Sequence, residues 1–301
     1  MQALILAGGR GINMSPLTDE VPKALLYLPG GTILDYLLHH VTALSIRKTA
    51  LVLQYRGDQI AHHLGGRSDL KLIPQNPPFT RLGALASAAS WVKEPTLVFH
   101  GDYYFSRNLR ASLEKADYSD FGGLTHPIFL VPERKNKKYS VSEAGAYLLP
   151  PEAFQVAAEM SEQDNLSAFY AALVQKGMQP RIIPFQGWAR HIATPTDLLT
   201  VNRYLLTQWH EAMHPPEAGL GYDALNFNWI APDADVDSNF NGLFVTIGPK
   251  ASIQQSHLHN TLLMPGVKLQ GANKRNSVLA DSESSLLHIY SPKARSAWRS
   301  L

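Results

Sequence analysis

The 301-residue sequence predicts an α/β protein, with a mostly parallel sheet covered by helices and a short β-helix at the C-terminal end. Three observations predict it. Short β-rich apolar runs alternate with longer helical patterns over the first hundred residues; the first run opens straight onto glycines; and late in the chain aliphatic residues recur about every sixth position between Gly and Pro. The first two are the signature of βαβ units, whose ligands bind beyond the carboxyl ends of the strands. The third is what stacked triangular coils require, because each coil must bury one aliphatic side chain per face.

Taken in order, ALILA (3–7) reads as the first strand and ends on Gly8, Gly9 and Gly11. ILDYLLHHVTAL (33–44), DQIAHHL (58–64) and GALASAASWV (83–92) have helical patterns, and they alternate with the strand runs TALVLQY (49–55), LKLIP (70–74) and TLVFHGD (96–102). The middle reads as a strand, FGGLTHPIFLV (121–131), a basic loop, a strand AGAYLLP (144–150), two helices and a strand RIIPF (181–185). The long helix that follows, 194–214, has Thr194 as N-cap, Pro195 at its first position and Asp197 placed to return the capping bond, with Pro215 and Pro216 to stop it. APDADV (231–236), VTIGPKASI (245–253), LLMPGVKL (262–269) and NSVLAD (276–281) carry the six-residue spacing, for example Ile247 to Ile253 and Leu263 to Leu269. The other reading is an ordinary small sheet; the Gly and Pro spacing favours coils. The expected domains are 1–214 and 222–292.

Composition narrows the chemistry. Hydrophobic residues are 45% and charged ones 17%, which describes a globular chain rather than a disordered one. The absence of cysteine excludes disulfides, thiolate nucleophiles and Cys-ligated metal. No apolar run approaches membrane-spanning length and the start has no basic leader, so no membrane partner and a cytoplasmic location are expected. A formal charge of +2, with KNKK (135–138) the only tight basic group, argues against nucleic acid as a partner.

A strand followed by Gly8, Gly9 and Gly11 turns tightly and presents N–H groups to an anion without Cβ obstruction; the bland alternative is a turn. Lys23, a turn later, can return an ammonium group to the same anion. Asp102 ends a buried run where a carboxylate can reach a metal on those phosphates, or simply closes a turn.

LILAGGRG, SPLTDEVPKALL, LVFHGDYYF, AGAYLL with GWARHIATPTDLLTVNRYLL, and the hexapeptide-like tail, in this order, resemble the sugar-1-phosphate nucleotidyltransferases, or NDP-sugar pyrophosphorylases. The nearest flavour is the mannose-1-phosphate guanylyltransferase-like branch, with a C-terminal left-handed β-helix. The resemblance implies a Rossmann-like domain in which a sugar-1-phosphate attacks the α-phosphorus of an NTP, with Mg²⁺, to give NDP-sugar and pyrophosphate. Such transfer rests on positioning and charge neutralisation. It further implies that Leu6, Ala7, Gly8, Gly9, Gly11, Gln75, Gly83 and Asp102 contact the nucleotide, and that Glu143 and Gly145 contact the sugar. Lys23 and Arg10 are the implied catalytic cations, and Asp102 the implied metal ligand.

The departures from the family pattern are equally specific. After the glycines, where the family reads G-T-R, Asn13 stands in place of the arginine, which removes a full charge and a bidentate donor. His191 falls at the second metal carboxylate, and imidazole is a poor Mg²⁺ ligand. The G-T-A-G-A-L turn reads Thr80-Arg81-Leu82-Gly83-Ala84-Leu85, and the E-K-P element has no clear equivalent beyond Pro132-Glu133-Arg134-Lys135. Arg10 or Arg81 could supply the missing charge.

Two histidine patterns have competing readings. His210-Glu211-Ala212-Met213-His214 matches the H-E-x-x-H zinc pattern, or is a chance match at a helix C-terminus, where histidine is favourable. His257 and His259 could bind metal or form a polar ladder on a coil. His39-His40 and His62-His63 are expected to pack or face solvent.

Two functions of different class follow. One is an active nucleotidyltransferase taking an NTP and a sugar-1-phosphate; the other is a catalytically impaired regulatory or assembly subunit that binds a nucleotide or NDP-sugar, beside an active paralogue. A β-helix whose oligomer surface carries the function is a third. A short stack with an open end also predicts a homo-oligomer.

Overall fold

The computed structural model describes residues 1–106, 109–114, 126–133, 138–211 and 221–280 and the backbone of Leu286–His288. Residues 121–125 of the expected strand, Arg134 and Lys135, the rest of KNKK apart from Lys138, His214 and the Pro215-Pro216 stop lie outside the described residues. By contacts the chain divides into two units, Met1–Ile12 with Thr18–Leu25 and Ile33–His191, and Asn13–Leu17 with Leu26–Thr32 and Ile192–Leu301. The sequence boundary at 214 places the long helix with the first half; the contacts group it with the second.

The first unit is built on a seven-stranded sheet in the order Arg181–Pro184, Ile128–Val131, Ala146–Leu149, Thr96–His100, Gln2–Leu6, Lys48–Leu53, Leu70–Pro74. Six strands are parallel; Ala146–Leu149 runs against both neighbours. The five inner strands are buried on both faces, because alternate side chains enter two separate cores, while the edge strands Leu70–Pro74 and Arg181–Pro184 are partly exposed. Ile5, Leu51 and Phe99 point to one core, with Leu34, Leu37 and Ile60 from the helices Ile33–Ala43 and Gly57–His63. Leu4, Val52 and Val98 point to the other, with Leu85, Phe154 and Phe169 from Arg81–Ala88, Pro151–Glu159 and Leu166–Gln175. From Gln2–Leu6 the chain proceeds outward to Lys48–Leu53 and Leu70–Pro74, then crosses back to Thr96–His100 on the other side. That reversal opens a crevice at the carboxyl ends of the first strand and of Thr96–His100.

In the second unit, parallel strands pair at offsets of 16 or 17 residues, as in Trp229↔Thr246, Asn241↔His257 and His257↔Asn273. A second set, Asp235–Val236, Ser252–Gln254 and Lys268–Gln270, stacks at the same offset. The long strands Asn241–Ile247, His257–Leu263 and Asn273–Leu279 each break at a left-handed residue, Phe244, Asn260 and Asn276 with φ of 56°, 47° and 50°. The strands stack in parallel, as a β-helix would require; Ile247, Ile253 and Leu263 are buried as the spacing predicts, whereas Leu269 is only half-buried.

The helix Pro195–Glu211 packs along the Asn241–Ile247, His257–Leu263 and Asn273–Leu279 strands. Its start forms as expected: Asp197 Oδ2 accepts from the Thr194 N–H at 2.9 Å and the Thr194 hydroxyl at 2.8 Å. At the packed face the Thr246 hydroxyl donates to Asn202 Oδ1 at 2.6 Å, and both residues are fully buried. Asn202 Nδ2 has no partner among the described residues. Thr246→Val should therefore cost about 1–2 kcal/mol by orphaning the amide oxygen, and adding Asn202→Leu should recover most of it, as read by urea denaturation.

Candidate active site

The first strand delivers its glycines to the crevice under tight restraint. Ala7 N–H donates to Val52 O at 2.9 Å and Gly101 N–H to Leu6 O at 2.9 Å, locking the loop between its two neighbours. A Cβ at Gly101 would lie 2.6 Å from Leu6 O, so only glycine allows Asp102 to emerge beside the loop. Gly11 takes a φ of +70°, turning the chain back over the Lys23 side chain.

A cavity of about 410 Å³ occupies the crevice. Residues 6–10 of the loop line it, with Lys23, Gln75, Asp102 and His191. Of the other expected contacts, Gly11, Gly83, Glu143 and Gly145 do not line it, although Ala84, Ser142 and Ala144 beside them do. Gly145 lies instead against the Tyr103 ring, whose hydroxyl donates to Glu143 O at 3.0 Å. Asn13 belongs to the second unit. Arg10 places its guanidinium 5.5 Å from the Tyr55 ring centroid, within cation–π range, and Arg81 lies 3.7 Å from Asp164.

Asp102 is the electrostatic centre. Its Oδ2 accepts from Lys23 Nζ at 2.9 Å and from His191 Nε2 at 3.1 Å, and the Lys23 side chain is only 9% exposed. Burial alone would raise the Asp102 carboxyl, but the His191 hydrogen bond and the Lys23 charge outweigh it and hold the group well below the usual carboxylate range. His191 reaches this position because Ala189–His191 pairs antiparallel with Tyr103–Phe105, putting His191 opposite Tyr103. Their rings stack at 4.9 Å and 16°. Beneath them His100 is buried against the Tyr147 hydroxyl, and burial, helped by Arg81, pushes its imidazole down to about 3.

These residues do not fit a protein-held Mg²⁺. One carboxylate is present, its Oδ2 already engaged by two nitrogen donors, so the protein offers such an ion Oδ1 alone and the remaining oxygens would have to come from water and substrate phosphates. No group of three or more metal-capable side chains occurs among the described residues.

The other histidines take ordinary roles. His210 Nδ1 lies 3.2 Å from Ala224 O and its ring packs on Phe227, while Ala212 to His214 are outside the described residues. His257 sits between Asn241 and Asn273, and His259 between Leu243 and Arg275. Burial and the charges of Arg203 and Arg275 push His259 down, which also opposes a metal cation there. His40 bonds Phe105 O at 2.9 Å, and His63 pairs with Asp35 at 2.9 Å. Sequence reasoning missed Gln54, Phe79 and Tyr103 on the cavity wall. An aromatic residue two positions before Arg81 was the available signal for Phe79.

The parallel-dominant sheet places a glycine loop, a buried lysine and an aspartate at its switch point, where α/β folds of this kind bind ligands. A family model described as Nucleotidyl transferase matches residues 2–146. It is 24% identical over 225 residues to the bifunctional protein GlmU of Methanocaldococcus jannaschii, covering 68% of this chain and 54% of the relative. The chain thus spans about half the length of the curated relatives of this kind. It is 34% identical over 73 residues to N-acetylmuramate alpha-1-phosphate uridylyltransferase of Caulobacter vibrioides, covering 24% of this chain and 30% of that one. The inositol-1-phosphate CTP transferase of T. maritima shares the fold, with a TM-score of 0.54 at 17% identity over 65% of this chain and 90% of that structure. No helix among the described residues is long and apolar enough to cross a membrane.

Proposed function

We propose that the first unit binds a nucleoside triphosphate, or an NDP-sugar, and holds it without transferring its nucleotidyl group. The observation that carries this is the Lys23–Asp102–His191 contact. One carboxylate engaged by two nitrogen donors leaves the glycine loop free to hold phosphates, with Arg10 for charge, but offers a cation only the oxygen that those donors do not occupy. Losing charge stabilisation worth several kcal/mol slows transfer by orders of magnitude while leaving backbone contacts to the phosphates in place.

Arg10 and Arg81 favour a second reading, active transfer from an NTP to a sugar-1-phosphate, because both line the cavity and carry charge that Asn13 lacks. In that reading Mg²⁺ arrives with the triphosphate. Thermal melting with each NTP and a set of NDP-sugars, in Mg²⁺ and in EDTA, tests the first. The expected result is a stabilising shift of equal size in both buffers; no shift with any nucleotide contradicts it. Self-association through the coils, or pairing with an active paralogue, belongs to the same proposal, and sedimentation of the chain alone and with such a paralogue tests it.

A further inference from the structure

We infer that Phe79 is the platform on which the nucleobase stacks, a binding role that rests on the cleft holding a nucleotide. Phe79 lines the cavity yet is 61% exposed, whereas Tyr103, the other large aromatic side chain on the wall, is buried. A scattered exposed phenylalanine needs no explanation, but this one is held in place on both sides. Gln75 Nε2 donates to Pro78 O at 3.3 Å and to Thr80 O at 2.8 Å, bracing the residues before and after it. Thr80 then caps the helix Arg81–Ala88 by accepting from the Gly83 N–H at 2.8 Å, and its hydroxyl donates to Ser161 O.

The bracing also reassigns Gln75. Its amide nitrogen holds the Phe79 loop, and its Oε1 lies 3.0 Å from where a Gly8 side chain would begin. Gln75 is thus a positioning residue linking the phosphate loop to the Phe79 loop. A rigidly presented aromatic face beside an anion-binding loop has the chemistry that recognises a nucleoside phosphate, since every base offers a π-face.

The test compares NTPs with inorganic tripolyphosphate by calorimetry on the full chain. Phe79→Ala should weaken NTP binding about 5- to 150-fold, leave tripolyphosphate binding unchanged and leave the melting temperature within error. Phe79→Trp should restore NTP affinity. Equal NTP affinity in Phe79→Ala, or an equal loss for tripolyphosphate, would overturn the stacking role alone. If the unaltered chain binds tripolyphosphate but no NTP, the platform is overturned while the phosphate loop stands. Failure of every nucleotide and of tripolyphosphate to bind overturns the site reading with it.

Discussion

Asp102→Ala should destabilise the protein by about 2–3 kcal/mol and yet tighten its grip on nucleotides. Lys23 is nearly buried, and Asp102, 30% exposed, is its carboxylate partner. Removing one member of such a pair leaves a charge without compensation, which in full burial costs about 3–5 kcal/mol; the partial exposure of Asp102 reduces that. Lys23→Met in the same chain should return most of the loss, because the stranded ammonium goes with it. The functional half runs the other way. The carboxylate faces the cavity where phosphates would bind and holds the ammonium on itself, so without it Lys23 is free to pair with phosphate. Urea unfolding of the single and double variants, with NTP titrations of each, checks both halves. A loss below about 0.5 kcal/mol would show that solvent already screens the pair. Weaker nucleotide binding in Asp102→Ala would return the aspartate to a role on the ligand.

Acid should unfold the chain early, and His100 should be a principal cause. Its folded-state value is about 3, against an ordinary value of 6.5, so between those limits the unfolded chain binds a proton that the folded chain refuses. The stability this group confers is complete above about pH 6.5 and declines as pH falls, by about 1.4 kcal/mol per pH unit, which at pH 5 amounts to about 2 kcal/mol. Asp102 acts in a lower window: its depressed carboxyl contributes stability above the ordinary carboxylate value, and that contribution is lost as pH falls below it. His100→Phe should lower stability at pH 8, because the Tyr147 hydroxyl loses its partner, and should flatten the slope between pH 6.5 and 4. An unchanged slope would mean that His100 accepts its proton in the folded state.

The parts legible in the sequence were those set by local pattern. Short apolar runs and helical spacing placed the strands of the first hundred residues and the helices between them, and three glycines after ALILA marked a loop at the cavity. The capping bond of Asp197 with Thr194 was readable because it spans three residues. Contacts between distant residues were not. Lys23 and Asp102 are 79 positions apart, and nothing local says that each is the other's partner. His191 reaches the same oxygen only because a two-stranded ribbon carries it there, so the sequence showed a lost carboxylate but not the hydrogen bond that replaced it. In the second unit the aliphatic spacing pointed to strands that stack in parallel. It missed that non-glycine residues, Phe244, Asn260 and Asn276, take left-handed positions within strands that pair at offsets of 16 or 17 residues. Asparagine tolerates the left-handed region, so Asn260 and Asn276 agree with local preference and Phe244 is the exception.

Pyrophosphate release is the most direct test of whether this cleft holds nucleotides without transferring them. The purified chain would be incubated with each NTP, Mg²⁺ and a panel of sugar-1-phosphates, and binding of each NTP followed in parallel in EDTA. The account predicts nucleotide binding in EDTA and no pyrophosphate above background with any pair. Mg²⁺-dependent release with even one pair would contradict it, identify the substrates, and make Asn13 and His191 tolerated departures in a working transferase.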